Sequence, residues 1–115
     1  MLLIRKEQLA AFEASRIDQA NARLAQYARR RFPDRFVGTP ERDLIGFAAE
    51  IRSRARPHGI VEEPDVATAL DLTVMYGPDF YASDWARDVF AVVDWSGSRK
   101  IAVVRERVRR RLPDF

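Results

Sequence analysis

The side chains that run most enzyme chemistry are scarce in this chain. His58 is the single histidine, and there is no cysteine. Thiolate nucleophiles, disulfides and zinc–thiolate sites are thereby excluded, and a triad or a multi-histidine metal centre has little to build on. His58 stands in an Arg-Pro-His-Gly turn, with Glu62 and Glu63 close by in sequence. General base catalysis needs an orienting carboxylate and also a nucleophile or substrate within hydrogen-bond reach, and no nucleophile accompanies these residues. The turn follows a predicted helix end, so the expected role of His58 is a protonated imidazole that complements the helix dipole. Glu62, Glu63 and Asp65 form a carboxylate cluster of the kind that binds hard cations or does acid–base chemistry. They straddle a predicted helix start, however, where each acid is stabilising by roughly 0.3–1 kcal/mol without any ligand. The spacing of an EF-hand loop is absent. No metal, no cofactor and no catalytic residue is expected.

Binding chemistry is better represented. Eighteen of the twenty basic residues are arginine, the side chain suited to carboxylate pairs and interfaces. Residues 1–56 carry a net charge of +5, residues 57–98 carry −7, and residues 99–115 carry +5. Such a layout gives a strong dipole, or internal pairing if the parts fold onto each other. The triplets Arg29-Arg30-Arg31 and Arg109-Arg110-Arg111 lie at predicted helix ends, where they complement the dipole or hold phosphate. Against nucleic acid stand the acidic middle and the lack of aromatics interleaved with the bases. Phe80, Tyr81, Trp85, Phe90 and Trp95 cluster in sequence, mostly as core. Phe80 and Tyr81 in a loop and Trp95 past a helix end are also interface material.

The elements that position these residues are helices. Apolar spacing predicts helix one from Lys6 to Arg31, with a stripe of Leu9, Phe12, Ile17, Ala20, Leu24 and Tyr27. Ile4 packs back on its first turn as a staple, and Pro33 ends it. Helix two starts with Thr39 as N-cap and Pro40 at the first helical position, buries Leu44, Phe47, Ala48, Ile51 and Ala55, and stops by Arg56 before Pro57. Helix three runs from about Glu63 to Tyr76, closed by Gly77 and Pro78. Helix four is capped by Ser83, with Trp85, Ala86, Val89, Phe90 and Val93 facing inward. Ser98 caps helix five, residues 99–111, whose narrow stripe is Ile101, Val104, Val108 and Leu112. The expected fold is therefore all-α: a single domain over residues 1–115, a compact bundle of about five helices with the first longest. Leu9, Ile17, Leu24, Leu44, Phe47, Ile51, Leu70, Val74, Val89 and Phe90 are expected in one core. No apolar run approaches a membrane span, and Arg5-Lys6 after Met1-Leu2-Leu3-Ile4 is the wrong order for a secretory signal, so the expected location is cytoplasmic.

Several short words occur together in a recognisable order. Phe32-Pro33 closes a long first helix; then come Gly59-Ile60, Val66, Leu70-Asp71-Leu72, and Gly77-Pro78-Asp79-Phe80 followed by Trp85-Ala86. This order, over about residues 4–95, resembles small helical bacterial proteins found beside toxin and spike genes in type VI secretion clusters. The chain departs from the pattern at Pro57 and in its basic tail after Ser98. The resemblance implies an accessory role in effector handling and no enzymatic role. The expected function is thus a non-enzymatic adaptor or chaperone-like protein that binds a secreted toxin or spike component. The alternatives are a nucleic-acid-associated regulator using helix five, or an immunity protein that blocks a toxin. The expected partner surface comprises Phe80, Tyr81 and Trp95, with Ile101, Arg105, Val108 and Arg109 of helix five docking on a partner or on a second copy. The charge layout predicts no specific nucleic-acid binding at physiological salt. Sub-micromolar duplex binding at that salt, abolished by reversing Arg105, Arg109 and Arg110 to Glu, would contradict it.

Overall fold

The computed structural model describes residues 6–111, and the fold is all-α, with no strand among them. The helices are α1 (Lys6–Arg31), α2 (Pro33–Phe36), α3 (Glu41–Ala55), α4 (Glu63–Tyr76), α5 (Arg87–Phe90) and α6 (Gly97–Arg111). Single 3₁₀ turns occupy Arg56–His58 and Phe80–Ala82. The first helix is the longest, as expected. Among the described residues, no helix is long and apolar enough to cross a membrane. The chain divides into two compact units, Met1–Ala48 and Ala49–Phe115, with the boundary inside α3. The expected contributions of Ile4 and Leu112 lie outside the described residues.

In the first unit the buried residues of α1 are small: Ala20, Leu24, Ala25 and Ala28, with Asn21 among them. Leu44 and Ala48 are the buried residues from the start of α3. Phe32, Phe36 and Phe47 form a half-buried aromatic row, with Phe36 and Phe47 centroids 5.7 Å apart. Arg29 holds the return of the chain. Its guanidinium donates to the carbonyls of Phe36 at 3.0 Å and Thr39 at 2.7 Å. α3 begins at Glu41, so Thr39 lies one residue before the cap position that its sequence suggests. The first bonds of α3 instead reach the Pro40 carbonyl, from Asp43 and Leu44.

The expected stripe fails over the first half of α1. Leu9, Phe12 and Ile17 are 53%, 67% and 44% exposed, and every residue from 6 to 19 is exposed. Two physical reasons account for this. At 3.6 residues per turn these three side chains spread over about 140° of the helix circumference, too wide for one narrow seam. The contacts that Arg29 makes bring α2 and the turn before α3 to the carboxy-terminal end of α1, away from these positions.

In the second unit α4 and α6 pack along each other. α4 buries Val66, Thr68, Ala69, Leu70, Asp71 and Leu72 in succession, so it is covered on several sides. α6 buries Lys100, Ile101, Val104 and Val108, a spacing of three to four residues that makes one continuous face. Ile51, Ala55, Ile60, Ala86, Val89 and Phe90 complete this core. Phe47 and Val74 are only half-buried.

Two glycines set where α6 begins. α3 ends in the 3₁₀ turn Arg56–His58, and Gly59 reverses the chain at φ +75°, its N–H donating to the Arg56 carbonyl. Gly97, buried at the start of α6, lies directly against that reversal. A Cβ at Gly97 would run into the Gly59 carbonyl, and one at Gly59 would lie 3.3 Å from the Gly97 nitrogen. The cap of α6 is Ser96, whose hydroxyl accepts from the Arg99 N–H at 3.1 Å. Ser98, the expected cap, instead donates to the Asp65 carboxylate on α4.

Helix four is shorter than expected. Ser83 does not cap with its side chain; its hydroxyl donates to the Phe80 carbonyl and closes a 3₁₀ turn. Only one helical turn, α5, follows, and Val93 is 91% exposed rather than inward. Ala86, φ −132°, separates the two turns. The β-branched pair Val92-Val93 beyond α5 offers little helix propensity to extend it.

Truncating Leu70 to Ala is expected to cost about 2–5 kcal/mol, whereas Leu9→Ala changes stability by less than about 0.5 kcal/mol. Gly97→Ala is expected to cost about 1–3 kcal/mol through overpacking against Gly59. Urea unfolding of the three variants checks this; equal losses for Leu9 and Leu70 would contradict the burial pattern.

Candidate functional site

The second unit gathers most of the residues singled out for binding. The turn Gly77-Pro78-Asp79 leaves α4 with Gly77 at φ +93° and its N–H on the Thr73 carbonyl at 2.8 Å. This reversal sends Phe80 inward, where it is 1% exposed. Phe80 stacks on Tyr81 at 4.0 Å and meets Phe90 edge-on at 6.0 Å. Tyr81 contacts Phe90 at 4.9 Å and lies flat on His58, at 4.2 Å and 9° between planes. Tyr76 and Trp85 meet at 4.8 Å on the far side of Phe80. The expected loop surface is therefore a packed aromatic cluster. Phe80 is core, and Tyr81 is a half-buried wall of it.

Burial pushes the Tyr81 phenol up to about 12, against the opposing pull of Arg54. It stays protonated at any physiological pH and supplies no phenolate. His58 also departs from expectation. Burial beneath the rings, and then the positive charge of Lys100, lower its pKa from the ordinary imidazole value of 6.5. The dipole at the end of α3 favours a charged ring, but desolvation and the lysine outweigh it. Lys100 is itself buried, with its ammonium 3.5 Å from the Phe90 carbonyl.

Two of the three carboxylates at the start of α4 make hydrogen bonds within the fold. Glu63 takes a bidentate pair from Arg52 at 2.8 and 3.0 Å, and Asp65 accepts from Ser98. Glu62 supplies the carbonyl that receives the first N–H groups of α4. No group of three or more potential metal ligands occurs among the described residues.

On α6 the expected partner face is divided. Ile101 and Val108 are 2% and 1% exposed, locked against α4, and cannot meet a partner without unpacking. Arg107 forks onto Asp88 at 2.8 and 3.0 Å and also donates to the Trp85 carbonyl. The hydrogen bonds from Arg107 hold the Asp88 carboxyl below its usual range. Arg99 sits over the half-buried Trp95 ring at 4.1 Å, a cation–π contact at the head of the helix. Arg105 and Arg109 are exposed beside a groove of about 240 Å³ between α4 and α6. Of the seven expected residues, the structure leaves Arg105 and Arg109 open and Tyr81 and Trp95 partly so.

Sequence reasoning missed a second surface, the first half of α1 with Leu9, Phe12 and Ile17 exposed. The available signal was the step of five from Phe12 to Ile17, irregular for a buried stripe. No protein-family model matches the chain, and neither a curated protein nor a solved structure matches it.

The folded protein keeps His58 neutral where the unfolded chain protonates it. That contribution to stability is complete above the unfolded value of 6.5 and is lost as pH falls through the lower folded value. The melting temperature is expected to fall on acidification below about pH 6.5, less steeply in His58→Gln. A variant with the same slope as the parent would show that His58 is not the group responsible.

Proposed function

We propose that this chain is a non-enzymatic helical binding module whose partner is another protein, and that the first half of α1 is its docking element. One observation carries this: every residue from 6 to 19 is exposed, Leu9, Phe12 and Ile17 included, while the same helix is buried from Ala20 onward. Three large apolar side chains, with Ala10, Ala11 and Ala14 among them, lie bare within four turns of one helix, and exposed apolar surface gathered in this way marks interaction sites. A helix held at one end and bare along the other is already ordered, so docking it costs little conformational entropy. The sequence resemblance to proteins of type VI secretion clusters supplies the class of partner, a secreted toxin or spike component. An accessory, adaptor or chaperone-like role fits a helix offered in this way, and an immunity protein would use the same chemistry. The nucleic-acid alternative draws on the exposed arginines of α6, beside which Glu106 on the same helix and Asp65 on α4 place negative charge in the groove.

The test is a pull-down of toxin and spike components of type VI secretion clusters, with the full chain as bait, at two salt concentrations and with nuclease. The parent is expected to retain one such component under all conditions. Leu9→Ser/Phe12→Ser/Ile17→Ser is expected to lose at least about tenfold of the capture, with a melting temperature near that of the parent. Capture that survives the triple variant, or that disappears with nuclease, would overturn the proposal.

A further inference from the structure

We infer that Arg105 and Arg109 form a receptor for a pair of carboxylates on a protein partner, a second contact surface independent of α1. The two arginines are one helical turn apart on α6, a spacing that brings side chains to about 5–6 Å at Cβ. Like charges placed so repel each other, and an anion spanning them relieves that repulsion. Both are exposed, and neither makes an ion pair among the described residues. Arg52, Arg54, Arg87 and Arg107 of the unit are engaged, on Glu63, on Glu50 and Asp79, on Asp84 and on Asp88. Arg56 and Arg111 are also exposed, but only Arg105 and Arg109 line the groove between α4 and α6.

The groove beside Arg105 and Arg109 also presents Asp65 and Glu106, and these decide what fits. Each acid already has its own partner. Asp65 accepts from Ser98, and Glu106 pairs with Arg110 at 3.7 Å. The two guanidinium groups are thus the charged lining members without a protein partner among the described residues. A guanidinium matches a carboxylate in a planar two-pronged pair, and a groove of about 240 Å³ is of side-chain size. The fixed acids would repel the long run of phosphates on a nucleic acid. They tolerate two discrete carboxylates one turn apart on a helix. The occupant is therefore an acidic helical segment presenting Asp or Glu at that spacing.

The probe is a labelled alanine-based helical peptide with glutamates four residues apart, titrated into the full chain by fluorescence anisotropy. Its glutamine analogue and a short DNA duplex are titrated alongside. The glutamate peptide is expected to bind and the glutamine analogue to bind at least about tenfold more weakly. Arg105→Gln/Arg109→Gln is expected to lose the same factor, with an unchanged melting temperature, while Arg105→Lys/Arg109→Lys falls between because it keeps charge without the fork. The Leu9/Phe12/Ile17 triple variant is expected to bind the peptide as the parent does, so failure here and failure of the α1 proposal are separable. The inference is overturned if the glutamate peptide does not bind or binds no better than its analogue. It is equally overturned if the double glutamine variant binds like the parent, or if the duplex outcompetes the peptide at physiological salt.

Discussion

The close approach of Gly59 and Gly97 is the constraint on which the second unit depends. Neither residue carries a side chain, so the head of α6 can lie against the carbonyl of the turn that ends α3. Gly59 is also required by its own backbone, since φ +75° strains any residue with a Cβ. From that contact α6 runs back along α4, and its face of Ile101, Val104 and Val108 is buried. Lys100 is carried inward by the same docking, to the Phe90 carbonyl and toward His58. The Lys100 charge that adds to burial in lowering the His58 pKa, and the loss of Ile101 and Val108 as partner residues, both follow from where α6 begins.

The charge layout resolves partly into pairs within the second unit. The acidic stretch of residues 57–98 is matched by arginines from α3 before it and from α6 after it: Arg52 with Glu63, Arg54 with Asp79, and Arg107 with Asp88. These pairs are largely at the surface, where ion pairs add little to stability. Their effect is on what remains. With Glu63, Asp79 and Asp88 paired, Arg105 and Arg109 on the outer side of α6 are left exposed and without an ion pair among the described residues, so a net charge of only +3 still leaves a local cationic surface there.

Much of the fold was legible because it rests on punctuation. Pro33, Pro57, Gly59 and Gly77 end or reverse the chain where their backbone chemistry requires, and α1, α3 and α4 begin and end within two residues of expectation. Caps were less legible, because a serine hydroxyl can donate as well as accept. Ser83 turns back to Phe80, and Ser98 reaches Asp65 across 33 residues of sequence. Helix four misled for a related reason: its apolar residues are real core, since Ala86, Val89 and Phe90 are buried, but the backbone delivers them in two tight turns rather than one helix. The candidate site was half legible. Arg105 and Arg109 are exposed as foreseen, whereas Phe80 was placed outward because nothing local to Gly77-Pro78 reveals which way the chain leaves the turn. Leu9, Phe12 and Ile17 read as part of a buried stripe because periodicity marks apolar positions and not what lies opposite them.

α1 is accordingly two things in succession. From Ala20 onward it contributes to the core of the first unit, with Arg29 fixing its end; before that it is a bare helix. Its first half is stabilised by continuity with a buried second half, since a free helix of that length is marginal in water. Amide hydrogen exchange of the isolated protein tests this division most directly. The account predicts that amides of residues 6–19 exchange orders of magnitude faster than those of Leu70 and Leu72 in α4. Protection of residues 6–19 equal to that of α4 would mean that this stretch is already covered, and would contradict its role as an open docking element.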